Sequence, residues 1–293
     1  MSIRPRRSAL YMPGSNARAL EKARSLPADA VILDLEDAVA PSAKDLARDQ
    51  VAAAVAAGGF GRREVVVRVN GLGTEWGRAD VEALAKAGAD AILVPKVSSP
   101  GEIMMAARDI AQAGAPEKTR LWAMIETPQA ILNIDSIART ARDPSSKLDV
   151  FVMGTNDLAK ETRARLVPGR APMQAWLSLA VAAARANGVE ILDGVWNDIA
   201  DEAGFRAECE QGRDFGMDGK TLVHPGQIAI ANEVFAPSAA ELAFARRIVA
   251  AFEEPENRGR GAISLDGRMV ELLHAEMARR VVALADAVAA AQN

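Results

Sequence analysis

The sequence predicts an α/β protein built as a (β/α)8 TIM barrel. Three observations predict it: eight short apolar runs bounded by turn residues, a helix-like segment after each, and enough length for a barrel of about 250 residues with about fifty to spare. The runs are Ser8–Met12, Ala30–Leu35, Glu64–Val69, Ala91–Val94, Leu121–Ile125, Val150–Met153, Glu190–Leu192 and Lys220–Val223. The helix-like segments are Asn16–Ser25, Ala43–Ala57, Glu75–Ala87, Pro100–Ala113, Gln129–Thr140, Pro172–Asn187, Asp198–Phe215 and Pro225–Phe235. Gly58-Gly59, Gly88, Gly114 and Gly188 fall near helix ends, where a left-handed cap is favoured. A doubly wound open sheet is the competing architecture. It would carry a glycine-rich turn after its first strand, and Pro13-Gly14-Ser15 is not a G-x-G-x-x-G.

The barrel is expected over residues 1–237 and a C-terminal helical arm over 238–293. In the arm, Ser238–Phe252 reads as a helix, Glu253–Gly261 as a linker and Met269–Ala291 as a last amphipathic helix. Between linker and helix lies Ile263-Ser-Leu-Asp-Gly267, a short apolar patch carrying Asp266. Such an arm either packs on its own barrel or reaches a neighbouring subunit.

Composition limits the function classes. The 293 residues are 49% hydrophobic and 25% charged, and 35 Lys+Arg against 39 Asp+Glu give a net charge of −4. That balance fits a globular protein and offers no basic excess for nucleic acid. One cysteine, Cys209, cannot form an internal disulfide, and His224 and His274 are too few for a histidine-rich zinc site. A cytoplasmic protein is expected. The alanine-rich stretches Ala175–Ala184 and Val281–Ala291 are too short or interrupted for a bilayer span, and the N-terminus has Arg4, Arg6 and Arg7 but no apolar stretch of signal-peptide length before Pro13, so neither membrane insertion nor a signal peptide is expected.

The chemistry is expected at the strand ends, because a barrel of this type carries its functional groups at the C-terminal ends of its strands. The run Leu121-Trp-Ala-Met-Ile ends in Glu126 and is stopped by Pro128. The other ends carry Pro13-Gly14-Ser15-Asn16, Asp34-Leu35-Glu36-Asp37, Arg68-Val69-Asn70, Pro95-Lys96, Gly154-Thr155-Asn156-Asp157, Asp193 and His224. A single Asp or Glu after a strand ordinarily caps the next helix. Several converging carboxylates repel and require cations. Arg68 and Lys96 supply part of the balance, and a hard divalent ion, Mg²⁺ or Mn²⁺, would supply the rest. The Pro13-Gly14-Ser15 turn offers backbone N–H groups for a phosphate.

Arg7-Ser-Ala-Leu-Tyr-Met-Pro-Gly14, Val31-Ile-Leu-Asp-Leu-Glu-Asp-Ala-Val39, Val67-Arg-Val-Asn70, Val94-Pro-Lys-Val97, Ile125-Glu-Thr127, Gly154-Thr-Asn-Asp157, Gly219-Lys-Thr-Leu-Val-His-Pro225 and Leu265-Asp-Gly-Arg-Met-Val270 follow one another in this order. Together they resemble the HpcH/HpaI aldolase and citrate lyase β-subunit family, which includes malyl-CoA and citramalyl-CoA lyases and (3S)-malyl-CoA thioesterases. The resemblance implies a (β/α)8 barrel, a Mg²⁺ site and a CoA thioester substrate. It also implies a homotrimer or hexamer whose C-terminal arm covers a neighbouring site. By position it implies that Glu126 and Asp157 are metal ligands and that Glu36 and Asp37 are acidic groups near the metal. Arg68 would bind substrate oxygens, and Asp266 would be an acid/base delivered from the next subunit. Arg7, Pro13, Gly14, Ser15 and Lys22 would lie on the CoA phosphate side, with Lys96 also among the ligand-binding residues. After Asp266 the sequence departs from the family pattern, with Glu271-Leu-Leu-His274 where an Asp soon followed by a Pro is common. The implied reaction is Mg²⁺-dependent cleavage or formation of a carbon–carbon bond between an acyl-CoA and a 2-oxo acid. A thioesterase and a lyase subunit acting on a carrier-protein thioester are the alternatives.

Overall fold

A computed structural model describes residues 3–292, which form two compact units: residues 6–232 and a smaller unit built chiefly from Glu233 onward. The larger unit is a closed barrel of eight strands in sequence order. They are β1 (Ser8–Pro13), β2 (Ala30–Asp34), β3 (Glu64–Arg68), β4 (Ala91–Val94), β5 (Arg120–Ile125), β6 (Leu148–Met153), β7 (Glu190–Asp193) and β8 (Gly219–Leu222). All pairings are parallel, and β8 closes on β1 with Leu222 opposite Leu10.

Alternation along the strands explains both the core and the site. Successive side chains point to opposite faces of a sheet. Ala9, Ile32, Val66, Leu93, Trp122 and Val152 belong to one buried cluster that fills the barrel interior. Two residues beyond Ile32, Val66 and Met124 on the same inward face come Asp34, Arg68 and Glu126. The interior layer therefore turns from apolar to charged at the C-terminal mouth. At the N-terminal mouth, Arg6 closes the barrel: its guanidinium lies over the Trp122 ring, 5.2 Å from the centroid, and pairs with Glu64 (2.7 Å), Asp149 (2.6 Å) and Glu190 (2.8 Å).

Outside the wall lies a second ionic cluster. Asp193 and Lys220 are neighbours across β7 and β8 and are wholly buried. Lys220 Nζ lies 3.2 Å from Asp193 and 2.7 Å from Glu208, while Arg170 Nη1 donates to Asp193 at 2.6 Å. Burial alone would raise the Asp193 pKa, but Lys220 and Arg170 outweigh it and hold the carboxyl below its usual value. Cys209 lies beside this cluster, and burial pushes its thiol up to about 12.

Several helices differ from the sequence expectation. The Gln129–Thr140 segment is two helices, Pro128–Leu132 and Ile134–Arg139, broken at Asn133, whose φ of −102° and ψ of 7° leave the helical region. The Asp198–Phe215 segment starts only at Glu202, where the Asp201 side chain accepts the Gly204 N–H. An unexpected helix, Thr155–Thr162, follows β6 directly and carries Asp157 in its first turn.

In the smaller unit, helix Ala239–Glu253 begins with a reciprocal cap between Ser238 and Glu241. Phe252, Ile263, Val270 and Ala275 share its core. The expected helix from Met269 begins only at Leu272, because β9 (Ala262–Leu265) and β10 (Arg268–Glu271) form a hairpin. Asp266 and Gly267 are its two-residue turn, both at positive φ (52° and 76°), the conformation for which Asp-Gly is favoured. The stretch Pro225–Glu253 is long and apolar enough to cross a bilayer by length and composition, with mean hydropathy 1.2. It is divided, however, into Ile228–Val234 and Ala239–Glu253, with Pro237 between them.

Removing one partner of a buried ionic cluster strands the others in low dielectric. Lys220→Ala is therefore expected to lower the unfolding free energy by about 3–5 kcal/mol, read from the urea midpoint of the purified protein. An unchanged midpoint would show that the cluster contributes nothing to stability.

Candidate active site

The C-terminal mouth is organised by Arg68. Its Nε and Nη2 donate to the two oxygens of Asp34 at 2.7 Å each, a bidentate pair between residues opposite each other on β2 and β3. Asp34 is wholly buried, and its carboxylate also accepts the backbone N–H groups of Glu36 (2.9 Å) and Ala38 (3.1 Å). The remaining Arg68 nitrogen, Nη1, lies 2.9 Å from Glu36 and 3.3 Å from Asp37. Tyr11 places its ring 4.8 Å from the guanidinium carbon. Burial, with the nearby carboxylates, pushes the Tyr11 phenol above its usual pKa, although Arg68 pulls the other way, so it stays neutral beside the arginine.

Glu126, wholly buried, ends β5 on the same face. Its Oε1 accepts the backbone N–H of Lys96 at 2.7 Å, while Oε2 is buried without a hydrogen-bond partner. Burial and the nearby charge of Glu36 push its carboxyl up to about 8, even with Lys96 opposing. Across the pocket, Asp157 is half-buried and has neither an ion pair nor a hydrogen bond to its side chain among the described residues. Gly154 sits against Glu126, and a Cβ there would run into the Glu126 side chain.

These groups face one cavity of about 310 Å³, with Asp34, Asp37, Arg68, Glu126 and Asp157 among its lining. Met124, Met153, Val195 and Val223 form an apolar wall, and Asn156 and Asn197 exchange side-chain amide hydrogen bonds (3.2 and 2.8 Å) at its edge. The donor set fits Mg²⁺ or Mn²⁺. Glu126, with one oxygen lacking a hydrogen-bond partner, and the unpaired Asp157 line the same cavity, and Mg²⁺ ordinarily takes one or two protein carboxylates and completes its shell with water and substrate. Among the described residues no group of three or more His, Cys, Asp or Glu converges as a self-contained metal cage, so such an ion would depend on those outside ligands.

The other expected residues fall differently. Glu36 is buried and pairs with Lys96 Nζ at 2.8 Å; neither lines the cavity. Burial raises the Glu36 carboxyl even against Arg68 and Lys96. Arg7 is a correction: it is buried, its Nε and Nη2 each 2.8 Å from Asp29, and it precedes β1 at the mouth opposite Asp34, Arg68 and Glu126. It is committed to that ion pair and cannot serve a phosphate at the C-terminal rim. The Pro13-Gly14-Ser15 turn is also corrected as an open phosphate cradle. The Gly14 N–H donates to Asp34 O (2.8 Å), the Asn16 N–H donates to Pro13 O (3.1 Å), and the Asn16 side chain caps Ala19. Gly14 is required because a Cβ would lie 2.7 Å from Asp34 O. Lys22 is exposed on the helix that follows. Asp266 belongs to the smaller unit, where it pairs with Arg247. Asp34 was read only as part of an acidic strand end and Tyr11 was not singled out; alternation within each strand, from Ile32 to Asp34 on β2 and from Ala9 to Tyr11 on β1, places both on the inner face.

A parallel eight-stranded barrel with an arginine held among carboxylates at its C-terminal mouth defines a barrel enzyme. The HpcH/HpaI aldolase/citrate lyase family model matches residues 7–225, and the chain belongs to that family. It is 54% identical over 286 residues to a (3S)-malyl-CoA thioesterase of Cereibacter sphaeroides, covering 98% of this chain and 96% of that protein. It is 35% identical over 288 residues to citrate lyase subunit beta of Escherichia coli K12, covering 97% of this chain and 94% of that protein. Protein CitE from Mycobacterium tuberculosis, solved with magnesium, acetoacetate and coenzyme A, superposes with a TM-score of 0.75 at 30% identity, covering 96% of this chain and 99% of that one.

Asp34→Asn removes the carboxylate that orients Arg68. Turnover is expected to fall about 10²-fold, the scale of a misplaced active-site group, with the far-ultraviolet circular dichroism spectrum unchanged. Wild-type turnover in Asp34→Asn would show that Arg68 needs no such anchor.

Proposed function

We propose that this chain is a Mg²⁺-dependent hydrolase of a 3-hydroxyacyl-CoA thioester of the (3S)-malyl-CoA type. The observation that carries the reading is the pocket lined together by Glu126, whose Oε2 has no hydrogen-bond partner, by the unpaired Asp157 and by Arg68. The identity of 54% across 98% of the chain to a (3S)-malyl-CoA thioesterase supports hydrolysis as the reaction. Carbon–carbon cleavage is the second reading, favoured by the citrate lyase β-subunit relative and by the CitE complex with magnesium and acetoacetate.

Glu126 and Asp157 would hold the cation, and Glu36 and Asp37 would add negative charge beside it. Bound there, Mg²⁺ would supply Lewis-acid polarisation. Arg68 spends one of the two Nη2 hydrogens on Asp34, which leaves the other for a substrate oxygen. Held by Asp34 and backed by Tyr11, it stabilises the negative charge that grows on oxygen as the thioester carbonyl is attacked. The Met124, Met153, Val195 and Val223 wall excludes bulk water from the acyl chain. Asp266 takes the proton from the attacking water, whose oxygen bonds to the thioester carbon. The carbon–sulfur bond then breaks and the CoA thiolate leaves to take up a proton. Lys22 and Ser15 remain as contacts for the CoA phosphates, and no covalent or redox cofactor is required.

Asp266 reaches the site from a neighbouring copy in a homotrimer or hexamer. Two features support this: its fixed position at a hairpin tip, and the exposed apolar side chains of Met269, Leu272, Leu273 and Met277 on the same unit, which a second subunit would cover.

Incubation of malyl-CoA with the purified protein and Mg²⁺ is expected to release free malate and CoA, resolved by mass. Glyoxylate with acetyl-CoA would identify the lyase instead, and no turnover of either kind would overturn the substrate class. Mixing Asp266→Asn protein with Arg68→Ala protein is expected to restore part of the activity that each lacks, since mixed oligomers contain some intact composite sites. Absence of recovery in verified mixed oligomers would argue against arm exchange.

A further inference from the structure

Lys96, at the end of β4, has a φ of 56°, a left-handed conformation that a side chain rarely adopts. Strained residues of this kind persist where the surroundings over-determine them. Its backbone N–H is fixed on Glu126 Oε1 at 2.7 Å. With that N–H fixed, φ decides where the side chain departs, and it departs toward Glu36, whose Oε1 lies 2.8 Å from the ammonium. The loop is pinned beyond Lys96 as well: Ser98 Oγ donates to the Lys96 carbonyl at 3.2 Å and lies 2.9 Å from Thr127 Oγ1, next to Glu126. Gly154 is packed against Glu126 Cβ and Oε2, so the absence of a side chain there leaves room for that oxygen. The result is a glutamate with one oxygen tied back and the other free.

We propose that Lys96 is a positioning residue. Its N–H fixes Glu126 Oε1 and its ammonium holds Glu36 in place, so that Glu126 presents Oε2 alone to the divalent cation. This inference rests on the reading of Glu126 as a metal ligand. It departs from the expectation that Lys96 contacts a ligand, because its ammonium is spent on Glu36 and it does not line the cavity.

A positioning lysine and a mere counter-charge differ in sign. Removing a positive charge beside a cation site tightens cation binding by Coulomb's law, whereas losing a residue that orients a ligand weakens it about 10–100-fold. The experiment is calorimetric titration of the full-length protein with Mg²⁺ alone, for wild type, Lys96→Met and Lys96→Arg. Methionine keeps the peptide N–H and most of the stem but lacks the charge. The dissociation constant is expected to rise about tenfold or more in Lys96→Met, with one ion bound per chain, and to recover largely in Lys96→Arg. Equal or tighter binding by Lys96→Met overturns the proposal. Failure of wild type to bind Mg²⁺ overturns the metal reading itself, a separate result. Should Lys96→Met misfold, Lys96→Gly removes the ammonium and relieves the backbone strain together. Weakened binding in that folded variant supports the proposal, and unchanged binding overturns it.

Discussion

The rim depends on the ion pair between Asp34 and Arg68. Two charges sit in the inner layer of the barrel, and burial is tolerable because they pair bidentately and the carboxylate is saturated by hydrogen bonds of good geometry. Asp34 takes two guanidinium N–H groups and two backbone N–H groups. Its carboxylate is consequently committed, and the acidic loop through Glu36 and Ala38 is fixed along with the arginine. Glu126 keeps an oxygen without a partner and Asp157 is unpaired, both on the β5 and β6 side of the mouth, whereas Glu36 Oε2, also without a hydrogen bond, lies 2.9 Å from Arg68 Nη1.

The two mouths solve the same electrostatic problem in different ways. At the N-terminal end Arg6 lies among three carboxylates and over a tryptophan ring. At the C-terminal end Arg68 and Lys96 are each drawn to Glu36, and the compensation stops short of Glu126 Oε2. A carboxyl left with a pKa near 8 by burial and a like charge is poorly suited to stability in the absence of a cation and well suited to receiving one. Natural proteins accept such local conflicts where function requires them.

Much of this was legible in the chain because strand ends are marked twice, by the stop of an apolar run and by the residue that follows. All eight runs became strands, and Glu126 was visible as a charge terminating one of them. The helix Thr155–Thr162 was hidden because Gly154-Thr155-Asn156-Asp157 is composed of turn formers, whereas in the structure the helix begins immediately after Gly154. The β9–β10 hairpin was masked because Met269 and Val270 continue an apolar pattern into the final helix, although Asp266-Gly267 carried the turn signal. Arg7 misled for a simpler reason: a motif gives residue order, while the mouth a side chain serves depends on where the strand begins.

By itself the sequence determined the barrel, the family and the ring of charged residues at the strand ends, because alternation, turn chemistry and motif order are local properties of the chain. Only the tertiary structure decided how those charges are shared. Asp34 is spent on Arg68 and Lys96 on Glu36, Arg7 belongs to the opposite mouth, and Glu126 keeps one oxygen free. Pairing of this kind is set by strand register and close approach across the barrel, where residues about thirty or more positions apart compete for the same few hydrogen-bond donors.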